Sequence, residues 1–224
     1  MPTAIVTGAS RGLGLALARA LAERGWRLVV DARVSGPLEE VATELDAVAI
    51  PGDVTDPEHR AALIAAAGDD LQLLINNASI LGPSPQPELA GYPLDVLERV
   101  YAVNVLAPLA LMQLAVPVLP PKGRIVNVTS DAAVEPYTGW GGYGSSKAAL
   151  EQLGNVLAAE HPELLVYTVD PGDMRTQLHQ EAFPGEDISD RAEPEESVPG
   201  LLALITGNHP SGRYRTKDLA PVEA

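Results

Sequence analysis

Tyr143 and Lys147 stand four residues apart in "GWGGYGSSKAALEQL", the separation that stacks two side chains on one face of a helix. A phenol has an unperturbed pKa near 10, too high to exchange protons readily at neutral pH. A cation within about 4–6 Å favours the phenolate and lowers that value, so Lys147 can turn Tyr143 into a working proton donor. The N-terminal end of a helix favours negative charge by something like 0.3–1 kcal/mol, a smaller effect than the lysine supplies. Gly139, Gly141 and Gly142 read as a flexible loop that lets a reacting group reach the phenol.

A second chemical signal lies near the start of the chain. "TGASRGLG" carries Gly8, Gly12 and Gly14 between an apolar run and an Ala- and Leu-rich helix. Unpaired N–H groups and the positive dipole end at a helix N-terminus attract phosphate, and glycines let the backbone approach a pyrophosphate closely. Placed directly after a first strand, the pattern has the context that a dinucleotide site requires.

The positioning elements follow from short apolar runs at 3–7, 27–32, 47–50, 71–75, 124–128 and 164–169. Runs apolar on both faces suit strands buried in a parallel sheet. Between them, "LGLALARALAERG" reads as a helix ended by Gly25, and "DPEHRAALIAAAG" as one capped by Asp56 with Pro57 at its first position. The alternation predicts an α/β doubly wound sheet with helices on both faces. Within "DVLERVYAVNVLAPLALMQ", Pro108 deprives the carbonyl of Asn104 of its i+4 partner and predicts a kink there. The irregular stretches 79–93 and 179–200 follow strands and so should wall a pocket.

With 224 residues and 46% hydrophobic content, one domain over 1–224 is expected. A net charge of −15 argues against nucleic acid, which requires clustered cations. The chain has no cysteine, which excludes disulfides, thiolate metal sites and a Cys nucleophile; no metal site is expected. The apolar run 105–119 is short and holds two prolines, so it reads as a core helix rather than a membrane span. With the first strand near Thr3 leaving no space for a signal peptide, a cytoplasmic protein is expected.

Taken in order, Gly-x-x-x-Gly-x-Gly after the first strand, "NNAS" at 76–79, Asn104, Ser130, Tyr143-x-x-x-Lys147 and "PGDMRT" at 171–176 resemble the short-chain dehydrogenase/reductase family over nearly the whole chain. The resemblance implies a single NAD(P)-binding Rossmann domain that moves a hydride between nicotinamide and a carbonyl or secondary alcohol. It implies that Tyr143 donates the proton, Ser130 orients the oxygen, Lys147 tunes the phenol and holds the nicotinamide ribose, and Asn104 supports a water-linked relay. It also implies cofactor contacts from Gly8, Ser10, Arg11, Gly12, Leu13 and Gly14, from Asp53 and Val54 beside the adenine, and from Asn77, Ala78, Pro171, Gly172 and Thr176.

The position that holds Asp in NAD-dependent relatives is by resemblance Ala32, followed by Arg33, and Arg11 lies in the glycine loop. Two guanidiniums suit a phosphate dianion, so NADP(H) is the preferred cofactor. NAD(H) stays open, because a small register shift would bring Asp31 to the ribose. "NNAS" departs from the family, which usually has Gly where Ser79 stands. A lid at about 178–198 is rich in carboxylates, which disfavours a strongly anionic substrate. Phe183, Trp140 and Tyr137 are candidate pocket aromatics, and His179 reads as a polar lid residue. By resemblance, helices around 94–119 and 143–161 pair across a two-fold axis into a homodimer or homotetramer. The alternative function is a dinucleotide-binding sensor on the same fold, without turnover.

Overall fold

The computed structural model describes residues 1–219. Seven strands, β1 (Thr3–Val6), β2 (Arg27–Ala32), β3 (Val48–Pro51), β4 (Leu71–Asn76), β5 (Arg124–Val128), β6 (Leu165–Asp170) and β7 (Gly212–Arg215), form one sheet in the order β3-β2-β1-β4-β5-β6-β7. Every neighbouring pair is parallel. Helices α1 (Gly12–Ala22), α2 (Ser35–Leu45), α3 (Pro57–Ala67), α4 (Leu94–Tyr101), α5 (Ala107–Ala115), α6 (Gly141–Glu160), α7 (Gln177–Ala182) and α8 (Val198–Thr206) intervene.

Strand alternation sends successive side chains to opposite faces. Ala4 and Val6 of β1 join Leu17, Leu21, Leu38 and Leu201 in a core under α1, α2 and α8. Ile5 joins Leu63, Leu111, Met112 and Leu150 under α3, α5 and α6. Both faces being covered explains why the central strands are apolar throughout. Helix α1 ends as expected, with Trp26 N–H bonded to Leu21 O at 3.1 Å and Gly25 N–H to Ala22 O at 2.9 Å, the paired bonds of a Schellman motif. Asp56 caps α3, accepting from Glu58 N–H at 2.9 Å, with Pro57 at the first position.

Three features differ from the sequence reading. Strand β7 joins the sheet edge although "GRYR" has no apolar run. Helix α2 buries only Leu38, Val41 and Ala42, too thin a stripe to stand out in the sequence. The break expected at Asn104 is a π turn over Ala102–Leu106, in which Ala107 N–H reaches back to Ala102 O. Widening the helix by one residue accommodates Pro108 while the helical path continues into α5.

Candidate active site

The strand order reverses between β1 and β4, the place where an open α/β sheet leaves a crevice beyond its carboxyl edge. Here a cleft of about 720 Å³ opens, lined by the glycine loop, the ends of β2, β4, β5 and β6, and α7. Thr7 holds the loop to β4: its hydroxyl donates to Ile75 O at 3.1 Å and accepts from Asn77 N–H at 2.9 Å and Ala78 N–H at 3.0 Å. The Asn77 amide donates to Thr7 O at 2.8 Å and Gly8 O at 3.2 Å. A Cβ on Gly14 would lie 2.4 Å from Gly8 O, so this close packing of loop on helix admits no side chain. Arg11 at the start of α1 provides no side-chain cap and instead bonds Gln177 of α7.

Asp31 is buried, and its carboxyl is spoken for. Oδ1 accepts from Gly8 N–H at 2.7 Å and Oδ2 pairs with His59 Nε2 at 2.9 Å. The side chain thus clamps the glycine loop, while Ala32 and exposed Arg33 face the cleft. Asp53 and Val54 also line the cleft. Burial pushes the Asp53 carboxyl up, but hydrogen bonds from Thr55 and Arg99 outweigh it and hold the group at about 2.

Across the cleft, Ser130 follows β5, Tyr143 lies in the first turn of α6, and Lys147 lies one turn on. The Ser130 hydroxyl donates to Asp131 Oδ1 at 3.0 Å and accepts from Ala132 N–H at 3.2 Å. Lys147 Nζ donates to Val128 O at 2.9 Å and stands 5.4 Å from the centre of the Tyr143 ring. Burial brings the lysine down to about 8, opposed by Glu151. Burial also pushes the Tyr143 phenol well above its ordinary value, with Asp131 and Asp170 adding to the rise and a hydrogen bond from Ser79 opposing it. This is the reverse of the lowering that the Tyr–Lys spacing alone predicts: desolvation dominates in this arrangement.

The glycines before Tyr143 have a different use from the flexible loop expected. Gly141 and Gly142 open α6, and a Cβ on Gly142 would lie 2.3 Å from Tyr92 Cζ. They admit the 79–93 segment against the helix. The lid is aromatic: Trp140 meets Tyr143 edge-on at 5.9 Å, and Phe183 lies 5.9 Å from Trp140 and 4.9 Å from His179. His179 gains a partner that the sequence did not show, accepting from Arg191 Nε at 3.3 Å. Tyr137 donates to Asp131 Oδ2 at 2.9 Å.

Of the residues singled out in the sequence, Gly8, Ser10, Arg11, Gly12, Leu13, Arg33, Asp53, Val54, Asn77, Ala78, Ser130, Tyr143, Lys147, Pro171, Gly172 and Thr176 share this cleft. Gly14 lies behind the loop. Asn104 is fully buried and outside the cleft lining, its amide spanning Ile80 N–H and O, Ser79 and Ser146. Sequence reasoning missed Thr7, His59 and the clamp made by Asp31, whose partners are 23 to 71 residues away. Among the described residues, no group of three or more His, Cys, Asp or Glu could hold a metal ion.

A parallel doubly wound sheet with a glycine-lined crevice at its switch point defines a dinucleotide-binding α/β protein. The short chain dehydrogenase family model matches residues 2–187. Benzil reductase ((S)-benzoin forming) of Saccharomyces cerevisiae is 31% identical over 217 residues, covering 90% of this chain and 80% of that protein. Serine 3-dehydrogenase of Agrobacterium fabrum is 33% identical over 185 residues, 79% of this chain and 73% of its own. A solved short chain dehydrogenase from Shigella flexneri 2a, complexed with NADP, superposes with a TM-score of 0.88 at 26% identity, covering 96% of this chain and 97% of that one. The chain belongs to the short-chain dehydrogenase family, a family of oxidoreductases that bind nicotinamide dinucleotides and act on carbonyl or alcohol substrates.

Proposed function

We propose that this protein is an NADP(H)-dependent carbonyl reductase that acts on a small substrate without strong negative charge. The observation that carries the reading is the convergence of Ser130, Tyr143 and Lys147 on the same cleft as the glycine loop. The cradle fits a dinucleotide: Gly8, Ser10 and Gly12 line the cleft at the α1 N-terminus, whose first turn carries no acidic side chain to repel phosphate. When bound, the nicotinamide supplies the hydride.

The chain's own residues do the rest. Tyr143 gives its phenolic proton to the developing alkoxide, and Ser130 turns its hydroxyl from Asp131 to the carbonyl oxygen. Lys147 is mostly protonated below its pKa of about 8. It stabilises the phenolate left behind and would hold the nicotinamide ribose. Asn104 supports the Tyr143 region, in the place that the family uses for a relay water. Arg11 and Arg33 would receive the 2′-phosphate, with the adenine beside Asp53 and Val54 and the nicotinamide end near Asn77, Ala78, Pro171, Gly172 and Thr176. The burial of the Asp31 carboxyl against Gly8 N–H and His59 supports NADP(H) over NAD(H), because a ribose hydroxyl would have to compete for a group that already holds the glycine loop. The NADP in the Shigella structure agrees with that choice.

The Trp140 ring, with Phe183 packed against it outside the cleft lining, and the carboxylate of Asp131 favour a substrate that is apolar or uncharged beside its carbonyl. Leu94, Leu106, Leu114 and Val156 are exposed along α4, the π turn, α5 and α6, which supports a homodimer or homotetramer through those helices. No helix among the described residues is long and apolar enough to cross a membrane, and the expected setting is the cytoplasm.

The test is kcat/KM with NADPH and with NADH over a panel of aldehydes and ketones. A clear NADPH preference is expected. Preference for NADH would overturn the cofactor assignment, and NADPH binding without turnover on any carbonyl would favour the sensor reading.

A further inference from the structure

Lys147 shares with a second residue of α6 the grip on the end of β5. One turn further along the helix, Glu151 is buried, and its Oε1 accepts from Thr129 Oγ1 at 2.7 Å, while Lys147 Nζ donates to Val128 O at 2.9 Å. Two residues one turn apart thus hold two consecutive residues of the strand end, and Ser130 is the next in line. A buried carboxylate requires a partner, and Glu151 finds it on the edge strand β7: Arg213 Nε donates to Oε1 at 3.0 Å and to Oε2 at 3.2 Å. The same guanidinium turns Nη2 toward Ser130 O and Asp170 Oδ2, each at a longer 3.5 Å. Asp170 in turn accepts from Gly172 N–H at 3.0 Å. A planar group with five donors can reach three elements at once, and here it ties β7 to α6 and to the ends of β5 and β6. Neither Glu151 nor Arg213 lines the cleft, so whatever they contribute to the chemistry passes through residues that do.

We propose that Glu151, locked in place by Arg213, is a positioning residue that sets the register of α6 on the end of β5, and with it the separation between the Tyr143 phenol and the Ser130 hydroxyl. Both groups must reach one carbonyl oxygen, Tyr143 to give its proton and Ser130 to donate a hydrogen bond. A slip of the helix along the strand end would leave one of them out of reach. The Lys147 bond to Val128 O fixes a single point about which the helix could pivot; the Glu151 bond to Thr129 supplies the second. Strand β7 then serves the site without touching it. The inference rests on the reading of Tyr143 and Ser130 as the residues that act on the carbonyl.

The experiment compares Arg213→Met, and Arg213→Met combined with Glu151→Met, with the wild type by steady-state kinetics on the best carbonyl substrate and by denaturant midpoints, each in wild-type and Ser130→Ala backgrounds. Arg213→Met strands the Glu151 carboxylate and should lower both stability and kcat, the latter by about 10–100-fold, with a much smaller change in KM. The double variant removes the stranded charge, so its midpoint should return toward wild type while kcat stays low. In Ser130→Ala enzyme, where no hydroxyl is left to place, the same changes should cost less than about twofold further in kcat. A double variant with wild-type kcat, or an equal fold-loss with and without the Ser130 hydroxyl, would overturn the proposal. Full turnover in Ser130→Ala alone would overturn the reading of the site, and the inference with it.

Discussion

Lys147 is held in the folded protein at a cost that can be measured. Its ammonium is buried, at 2% exposure, and its pKa falls from 10.5 to about 8. A lysine whose folded pKa lies below its unfolded value binds protons less well in the native state. The whole penalty is present below the folded value of about 8 and fades as pH rises toward the unfolded value of 10.5. A shift of about 2.5 pKa units corresponds to about 3 kcal/mol at pH 7, of which roughly 1 kcal/mol remains at pH 10. Lys147→Met removes this penalty and also the hydrogen bond to Val128 O, an orphaned carbonyl that costs about 1–3 kcal/mol at either pH. The variant should therefore gain about 2–3 kcal/mol relative to wild type at pH 7 compared with pH 10, whatever the constant terms. Burial keeps the Tyr143 phenol protonated over this range, so it does not obscure the comparison. Denaturant midpoints of both proteins at the two pH values provide the assay. A stability difference that stays constant between pH 7 and 10, or grows in the opposite direction, would refute the reasoning. Activity should be lost in the same variant, since the site gives up stability to keep a cation beside the phenol.

Two other perturbations have defined outcomes. Gly142→Ala places a methyl 2.3 Å from Tyr92 Cζ; overpacking of this kind should cost about 1–3 kcal/mol in thermal or chemical denaturation and raise KM for the substrate by displacing the 79–93 wall. His59→Ala leaves Asp31 Oδ2 without its buried partner, costing about 1–3 kcal/mol from the orphaned oxygen alone. Because Asp31 also holds Gly8, titration calorimetry should show weaker NADPH binding, although His59 itself is outside the cleft lining.

The chemical residues were the most legible part of the sequence. Tyr143, Lys147, Ser130 and the glycine loop are local patterns, each readable within a few residues of chain. The first six strands were equally visible as apolar runs: burial on both faces writes them in the centre of the sheet, and β3 at the edge keeps the run although it is only partly buried. Strand β7 lacked that signature: its arginines answer to groups far away, Arg213 to Glu151 at 3.0 Å and Arg215 to Asp170 at 3.9 Å. Only the folded arrangement brings those carboxylates to the sheet edge. Asp31 illustrates the same limit. Alternation showed that it and Ala32 point opposite ways, but its choice of Gly8 and His59 depends on three separate segments meeting. The direction of the Tyr143 shift was misread because charge spacing is a sequence property and desolvation is not. Ser79 stood out as a departure, but its hydrogen bond to Asn104 joins segments 25 residues apart and could not be read locally.

The central claim is that Tyr143 is the proton donor in a nicotinamide-dependent reduction. It is tested most directly by following NADPH oxidation with the best substrate from an aldehyde and ketone panel, in wild type and Tyr143→Phe. General acid catalysis contributes about 10²–10⁴-fold, so the account predicts a loss of that order in kcat with NADPH binding unchanged. A Tyr143→Phe enzyme that kept most of its turnover would contradict it.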